Sequence, residues 1–153
     1  LRHRLLTIAQ AKVSTSGQEA FELGYLRPGQ DEVIVSRAHQ LAYAKQCALA
    51  LWNKGYTKPQ VRKDIKVLGQ DALGVVYSGA SNMHSGNYIS EHDQLISEKL
   101  GYVLCGGDLS EISEVSEQYL LDLERKTFLE LCMQRKTLER LQSIITSGKV
   151  LRN

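Results

Sequence analysis

Proline is nearly missing from this chain, with two residues in 153, and aromatic side chains reach only 7%. Few helix breaks are therefore enforced, and the composition leans towards helix. Cysteine is scarce as well: Cys47, Cys105 and Cys132 are an odd number, widely spaced, with no Cys-x-x-Cys pair. That pattern excludes a disulfide scaffold and a zinc knuckle, and it predicts buried, reduced thiols in the reducing cytoplasm. Neither sign of charge prevails. Nineteen Lys and Arg against 17 Asp and Glu leave a net charge of +2, which by itself predicts no nucleic-acid surface. Long apolar runs are lacking too. The longest stretch free of Asp, Glu, Lys and Arg, from Ala72 to Ser90, is interrupted by serine, glycine, asparagine and histidine, and it excludes a membrane span. No signal-peptide pattern precedes it.

What is there reads as globular. The hydrophobic fraction is 42% and the charged fraction 24%, both ordinary for a soluble domain. A chain of this length buries roughly two-thirds of its unfolded surface, so it needs no covalent or metal staple. It begins at Leu1 without a methionine, and Leu1-Arg2-His3-Arg4-Leu5-Leu6 already reads as mid-helix. That start predicts a piece cut from something longer.

Helical periodicity recurs along the chain. A first helix runs to about Lys12, and Ser16-Gly17-Gln18-Glu19 has capping-box spacing before a short helix that Gly24 stops. Asp31 and Glu32 open a third helix, whose buried stripe is Ile34, Ala38, Leu41, Ala48 and Trp52. Residues 56–70 read as a linker with one β-like run at 65–68. Asp71 to about His84 forms the next helix. Ser90-Glu91-His92-Asp93 is a second capping box, and Gly106-Gly107 ends the helix it starts. A long helix follows from about Ser113 to Met133, then a last one capped by Thr137 and ended by Gly148. The expectation is an all-α fold of six or seven helices in two lobes, divided as 1–55, a linker at 56–70, and 71–153.

Motifs that would carry chemistry are few. No Gly-x-Gly-x-x-Gly follows a strand, and neither a Walker loop nor His-Glu-x-x-His occurs. His84 and His92-Asp93 straddle a glycine break rather than sharing a helix face, so a partly buried, hydrogen-bonded His92 in a first helical turn outweighs a metal site. His3 and His39 have no local partner. Glu124 falls inside the arc of Leu120, Leu121, Phe128 and Leu131. A carboxylate there must be paired or protonated. The structural reading ties it to Arg125, Lys136 or Arg140; the chemical one makes it a general acid or base. Lys45 lies on the apolar stripe of its own helix, where a snorkelling side chain outweighs a phosphate contact.

A resemblance enters with longer runs. These are Gly86-Asn87-Tyr88-Ile89-Ser90-Glu91-His92-Asp93, Leu104-Cys105-Gly106-Gly107-Asp108, the stretch from Ser116 to Arg125, and the close from Lys136 to Arg140 and from Gly148 to Asn153. They resemble the C-terminal end of bacterial 3-hydroxyacyl-CoA dehydrogenases of fatty-acid β-oxidation that carry a crotonase-like (enoyl-CoA hydratase/isomerase) region. The run from Ser16 to Leu26 looks like the segment after a crotonase core. Val150 stands where that tail tends to have proline.

The resemblance implies a parent enzyme that uses NAD to oxidise a 3-hydroxyacyl-CoA thioester to the 3-oxoacyl-CoA. Residues 1–55 would then be the helical end of its crotonase-like region and 71–153 a C-terminal helical lobe. The dinucleotide fingerprint, catalytic histidine and oxyanion-hole loops match no position here, so no catalytic, cofactor-binding or metal residue is carried over. The implied role is packing and assembly, with the rest of the parent chain and a second copy as partners and no turnover by this piece alone. The alternative is a stand-alone helical module that binds a protein or nucleic acid. A complete small acyl-CoA enzyme built from Glu124, His92 and Lys45 ranks last.

Overall fold

Serine hydroxyls start three of the seven α-helices in the computed structural model, which describes residues 1–153. Ser16 Oγ accepts from the Glu19 N–H at 3.1 Å and opens α2 (Gly17–Leu23), after α1 (Arg2–Ala9). The Glu19 carboxylate reaches one residue further back than a capping box requires. It accepts from the backbone N–H and the hydroxyl of Thr15, both at 2.7 Å, and these bonds hold its carboxyl below the usual range. At Ser90 the box is complete: Ser90 Oγ accepts from the Asp93 N–H, and Asp93 Oδ2 accepts from the Ser90 N–H.

The remaining elements are a 3-10 turn (Arg37–His39), α3 (Gln40–Asn53), β1 (Ile65–Val67), α4 (Gly69–Ser85), α5 (Glu91–Cys105), β2 (Ser113–Val115), α6 (Glu117–Cys132) and α7 (Arg135–Ser147). The fold is all-α apart from the two short strands, which pair antiparallel with Lys66 opposite Glu114. The chain divides into two compact units, one of residues 1–10 with 61–153 and one of residues 11–60. This division cuts across the sequence partition, because α1 packs on α5 and so belongs with the later helices.

In the larger unit α5 is the central helix, packed against α1, α4 and α6. Leu73, Val76 and Ala80 form the buried stripe of α4 at helical spacing. Gly101 allows the α4–α5 contact, since a Cβ there would lie 2.5 Å from Val76 Cγ1. Val67 of β1 and Cys105 at the end of α5 are the most enclosed side chains. Gly69, at φ +69°, leads the chain from β1 into α4 against the backbone of Glu111, where a Cβ would come within 2.8 Å of the carbonyl oxygen. In the smaller unit the buried side chains are Ala20 and Leu23.

Five expectations are corrected. The third helix starts at Gln40 instead of Asp31, because both acidic side chains are engaged elsewhere. Asp31 Oδ2 closes a turn by accepting from the Arg27 N–H at 2.7 Å, and Glu32 accepts from the Tyr43 hydroxyl. Of the stripe predicted to be buried, Ile34 and Ala38 precede the helix and Ile34 is half-buried, while Leu41, Ala48 and Trp52 on the helix are exposed, Leu41 at 83% and Trp52 at 81%. The long helix begins after Ser116, whose Oγ accepts from the Tyr119 N–H, while residues 113–115 pair as a strand. Thr137 does not cap α7; it is buried inside it, and Gln134 precedes the helix without a side-chain cap. Of the three cysteines only Cys105 is buried, since Cys47 and Cys132 sit on helix faces that stay partly open.

Candidate functional site

The densest polar assembly lies where the start of α5 meets α7 and the segment ending at Asn153. The second capping box presents Asp93, and α7 places Lys136, Thr137, Glu139 and Arg140 on successive turns. Arg140 donates to Asp93 Oδ1 at 2.7 Å, to Asn153 Oδ1 at 2.8 Å and to the Asn153 carbonyl at 3.2 Å. Asn153 donates its side-chain amide to Glu139 Oε2 at 2.8 Å, and its carbonyl also accepts from the Ser90 hydroxyl at 3.2 Å. Burial raises the Asp93 carboxyl, but the bonds from Arg140 and Ser90 outweigh it and hold the group below the usual range.

Beside this network His92 is 4% exposed, with Nε2 at 3.0 Å from Thr137 Oγ1. The expected hydrogen-bonded histidine is therefore found, more deeply buried than the sequence implied, with Thr137 as its partner. Burial lowers its pKa from the ordinary value of 6.5, and the cations Arg140 and Lys136 lower it further against the opposing pull of Asp93. The folded state thus binds fewer protons than the unfolded chain. The stability contributed by His92 is complete above about pH 6.5 and is lost as pH falls below it. Urea midpoints of the chain should drop between about pH 6.5 and 5. His92→Gln should flatten that slope, and an unchanged slope in the variant would contradict the assignment.

A second polar group lies further along α5. Tyr77, Leu95, Glu98, Lys99, Tyr102 and Glu130 line an open depression of about 350 Å³. Lys99 Nζ meets Glu130 Oε2 at 2.6 Å, and Tyr102 donates to Asp108 Oδ2 at 2.8 Å, which pushes the phenol up to about 12. Both of these contacts occupy groups that could otherwise begin a reaction. Cys105 is fully enclosed, and burial pushes its thiol up, away from a reactive thiolate.

The other singled-out residues stay apart. Glu124 is exposed on α6 and takes no part in the ion pairs. The buried face of α6 is centred on Leu120, Leu123 and Thr127, which leaves Glu124 at its margin and turns Leu121 and Phe128 outward. Arg140, one of its expected partners, serves Asp93 instead. Lys45 is exposed on α3. His84 Nδ1 sits 3.2 Å from the Ile89 carbonyl, and no three His, Cys, Asp or Glu side chains gather as metal ligands. No helix is long and apolar enough to cross a membrane. Sequence reasoning missed Asn153, and no local pattern marks a residue that is recruited by an arginine on a neighbouring helix.

Comparison with curated proteins gives a clear match. The chain is 43% identical over 147 residues to a probable 3-hydroxyacyl-CoA dehydrogenase of Bacillus subtilis (strain 168). The match takes in 96% of this chain. It spans only 18% of that dehydrogenase. No family model matches the chain, and no solved structure does. The similarity thus includes both compact units, with Ser90, Asp93 and Arg140 inside the matched length.

The residues present do not form a dinucleotide cradle. The segment from β1 into α4 is a strand, a glycine and a helix, but the approach to α4 is filled by the backbone of residues 109–111. The Gln70 N–H donates to the Leu109 carbonyl at 3.0 Å, and the Glu111 backbone lies against Gly69. A pyrophosphate needs that space open.

Proposed function

We propose that this chain is the C-terminal helical portion of an NAD-dependent 3-hydroxyacyl-CoA dehydrogenase of fatty-acid β-oxidation, a cytoplasmic enzyme that also carries a crotonase-like region. The observation that carries the reading is 43% identity across almost the full chain to a bacterial protein named as a probable dehydrogenase of this kind. The parent would convert a 3-hydroxyacyl-CoA and NAD⁺ into the 3-oxoacyl-CoA, NADH and a proton. In that enzyme this portion packs and assembles, and the nicotinamide cofactor and the reacting thioester are held by other segments.

Two features support a packing role. Prominent polar side chains of the larger unit are engaged in holding helices together, through His92 with Thr137 and Arg140 with Asp93 and Asn153. The smaller unit buries little of its own, and α3 contains no buried residue.

The test uses NADH formation from a 3-hydroxyacyl-CoA. This chain alone should yield none. The Bacillus dehydrogenase deleted for its matching stretch should lose activity and correct assembly, and insertion of this chain in place of that stretch should restore both. Turnover by the isolated chain, or a deleted dehydrogenase that stays fully active and correctly assembled, would overturn the reading.

A further inference from the structure

The helix α3 combines three observations that call for a partner of defined character. First, ten of its fourteen residues are apolar (Leu41, Ala42, Tyr43, Ala44, Cys47, Ala48, Leu49, Ala50, Leu51 and Trp52), yet none is buried. A helix that is apolar around most of its circumference belongs inside a larger core. Second, Leu41, Ala44, Ala48 and Leu51 recur at steps of three and four with Trp52 beside them, the spacing of side chains that seat a helix in a groove. Leu41 and Trp52 anchor the two ends of that stripe, at 83% and 81% exposure. Third, no acidic residue occurs from Val33 to Gln60, while Arg37, Lys45, Lys54 and Lys58 are all present.

We infer that the exposed stripe of α3 is a docking face for an apolar groove rimmed by carboxylates on the body of the dehydrogenase to which this portion belongs. The inference rests on the proposed function, and it adds the surface used and the chemistry of its counterpart. Charge complementarity selects this occupant over a second copy. Two α3 helices laid together would bring Lys45, which flanks the stripe, of each into one interface with no acidic residue on either helix to meet it. It also selects against a lipid surface, because an interfacial helix sets a strongly charged face opposite its apolar one. In α3 the polar positions Gln40, Lys45, Gln46 and Asn53 are scattered around the helix. The dehydrogenase relative supplies enough structure for such a groove, since over four-fifths of it lies outside the matched stretch.

The experiment compares amide hydrogen exchange of residues 40–53 in the free chain and in the Bacillus dehydrogenase whose matching stretch has been replaced by this chain. Docking should slow exchange in α3 by about a hundredfold or more. A chimera that forms NADH while α3 exchanges as in the free chain would overturn the docking face and leave the proposed function standing. A chimera with protected α3 and no NADH would support the docking face and count against that function. Should the chimera fail to fold, the tagged chain is co-expressed with the remaining portion of the Bacillus protein. Co-elution lost on Leu41→Ser with Trp52→Ser supports docking through this stripe, and co-elution unaffected by the pair overturns it. The sole tryptophan, Trp52, reports the rival occupants in the free chain. A blue shift on adding phosphatidylserine vesicles, or on raising protein concentration into a dimer, would reassign the face to lipid or to a second copy and overturn the inference.

Discussion

Gly106→Ala should destabilise the larger unit by roughly 2–5 kcal/mol, from about 1–2 for forcing an alanine into left-handed backbone and about 1–3 for overpacking. Gly106 ends α5 at φ +93°, a conformation that a Cβ resists. The added carbon would also lie 2.6 Å from Val67 Cγ2 and 2.9 Å from its Cβ. Val67 has no room to yield: it is among the most enclosed side chains, and its backbone is tied to Ser113 of β2. The control is Gly148→Ala. Gly148 ends α7 at φ +65°, and an added Cβ would meet nothing within 4 Å, so only the conformational cost of about 1–2 kcal/mol applies. Urea unfolding of both variants separates the two contributions. Equal losses would show that the contact with Val67 relaxes freely.

Arg140→Ala should cost about 3 kcal/mol, at the lower end of the range for breaking a buried ion pair. Its side chain is 16% exposed and that of Asp93 is 26% exposed, so solvent screening is limited but present. The loss stays at the lower end because the Asp93 carboxylate keeps its bonds to the Ser90 N–H and hydroxyl. Arg140→Lys should recover little of it. A lysine ammonium replaces a planar fork whose separate nitrogens reach Asp93 and both oxygens of Asn153. Thermal unfolding together with amide exchange of residues 149–153 measures the effect. Near-native behaviour of the lysine variant would mean that charge alone, without the fork, holds the segment.

Local devices are the legible part of this fold. Ser16 and Ser90 open helices, and Gly24, Gly106 and Gly148 close them in left-handed conformation, because capping depends on side chains within a few residues. The failures have equally physical causes. Asp31 and Glu32 carry the charge of a helix start, but the Arg27 turn and the Tyr43 hydroxyl compete for those carboxylates. The sequence arc containing Glu124 is centred one step too far round α6, because Leu121 and Phe128 are apolar side chains that face outward. In the candidate site, His92 can be read from its place in the first turn of α5. Its partner Thr137 is 45 residues away and Arg140 lies 47 residues from Asp93. Pairings at that separation are chosen by tertiary packing and leave no periodic trace in the chain.

The two-strand ribbon also bears on the order in which the larger unit is expected to assemble. Helices α4 and α5 are joined by residues 86–90 and can zip together as a local hairpin with little loop entropy to overcome. The β1–β2 pairing must close around both of them, and it is held by only three residues from each strand. On loop length alone the hairpin is expected to nucleate the larger unit and the ribbon to close late. Interactions made only after the nucleus forms govern the unfolding rate more than the folding rate. The Val67 contact that guards Gly106 would belong to that late set, and its loss is expected to speed unfolding more than it slows folding.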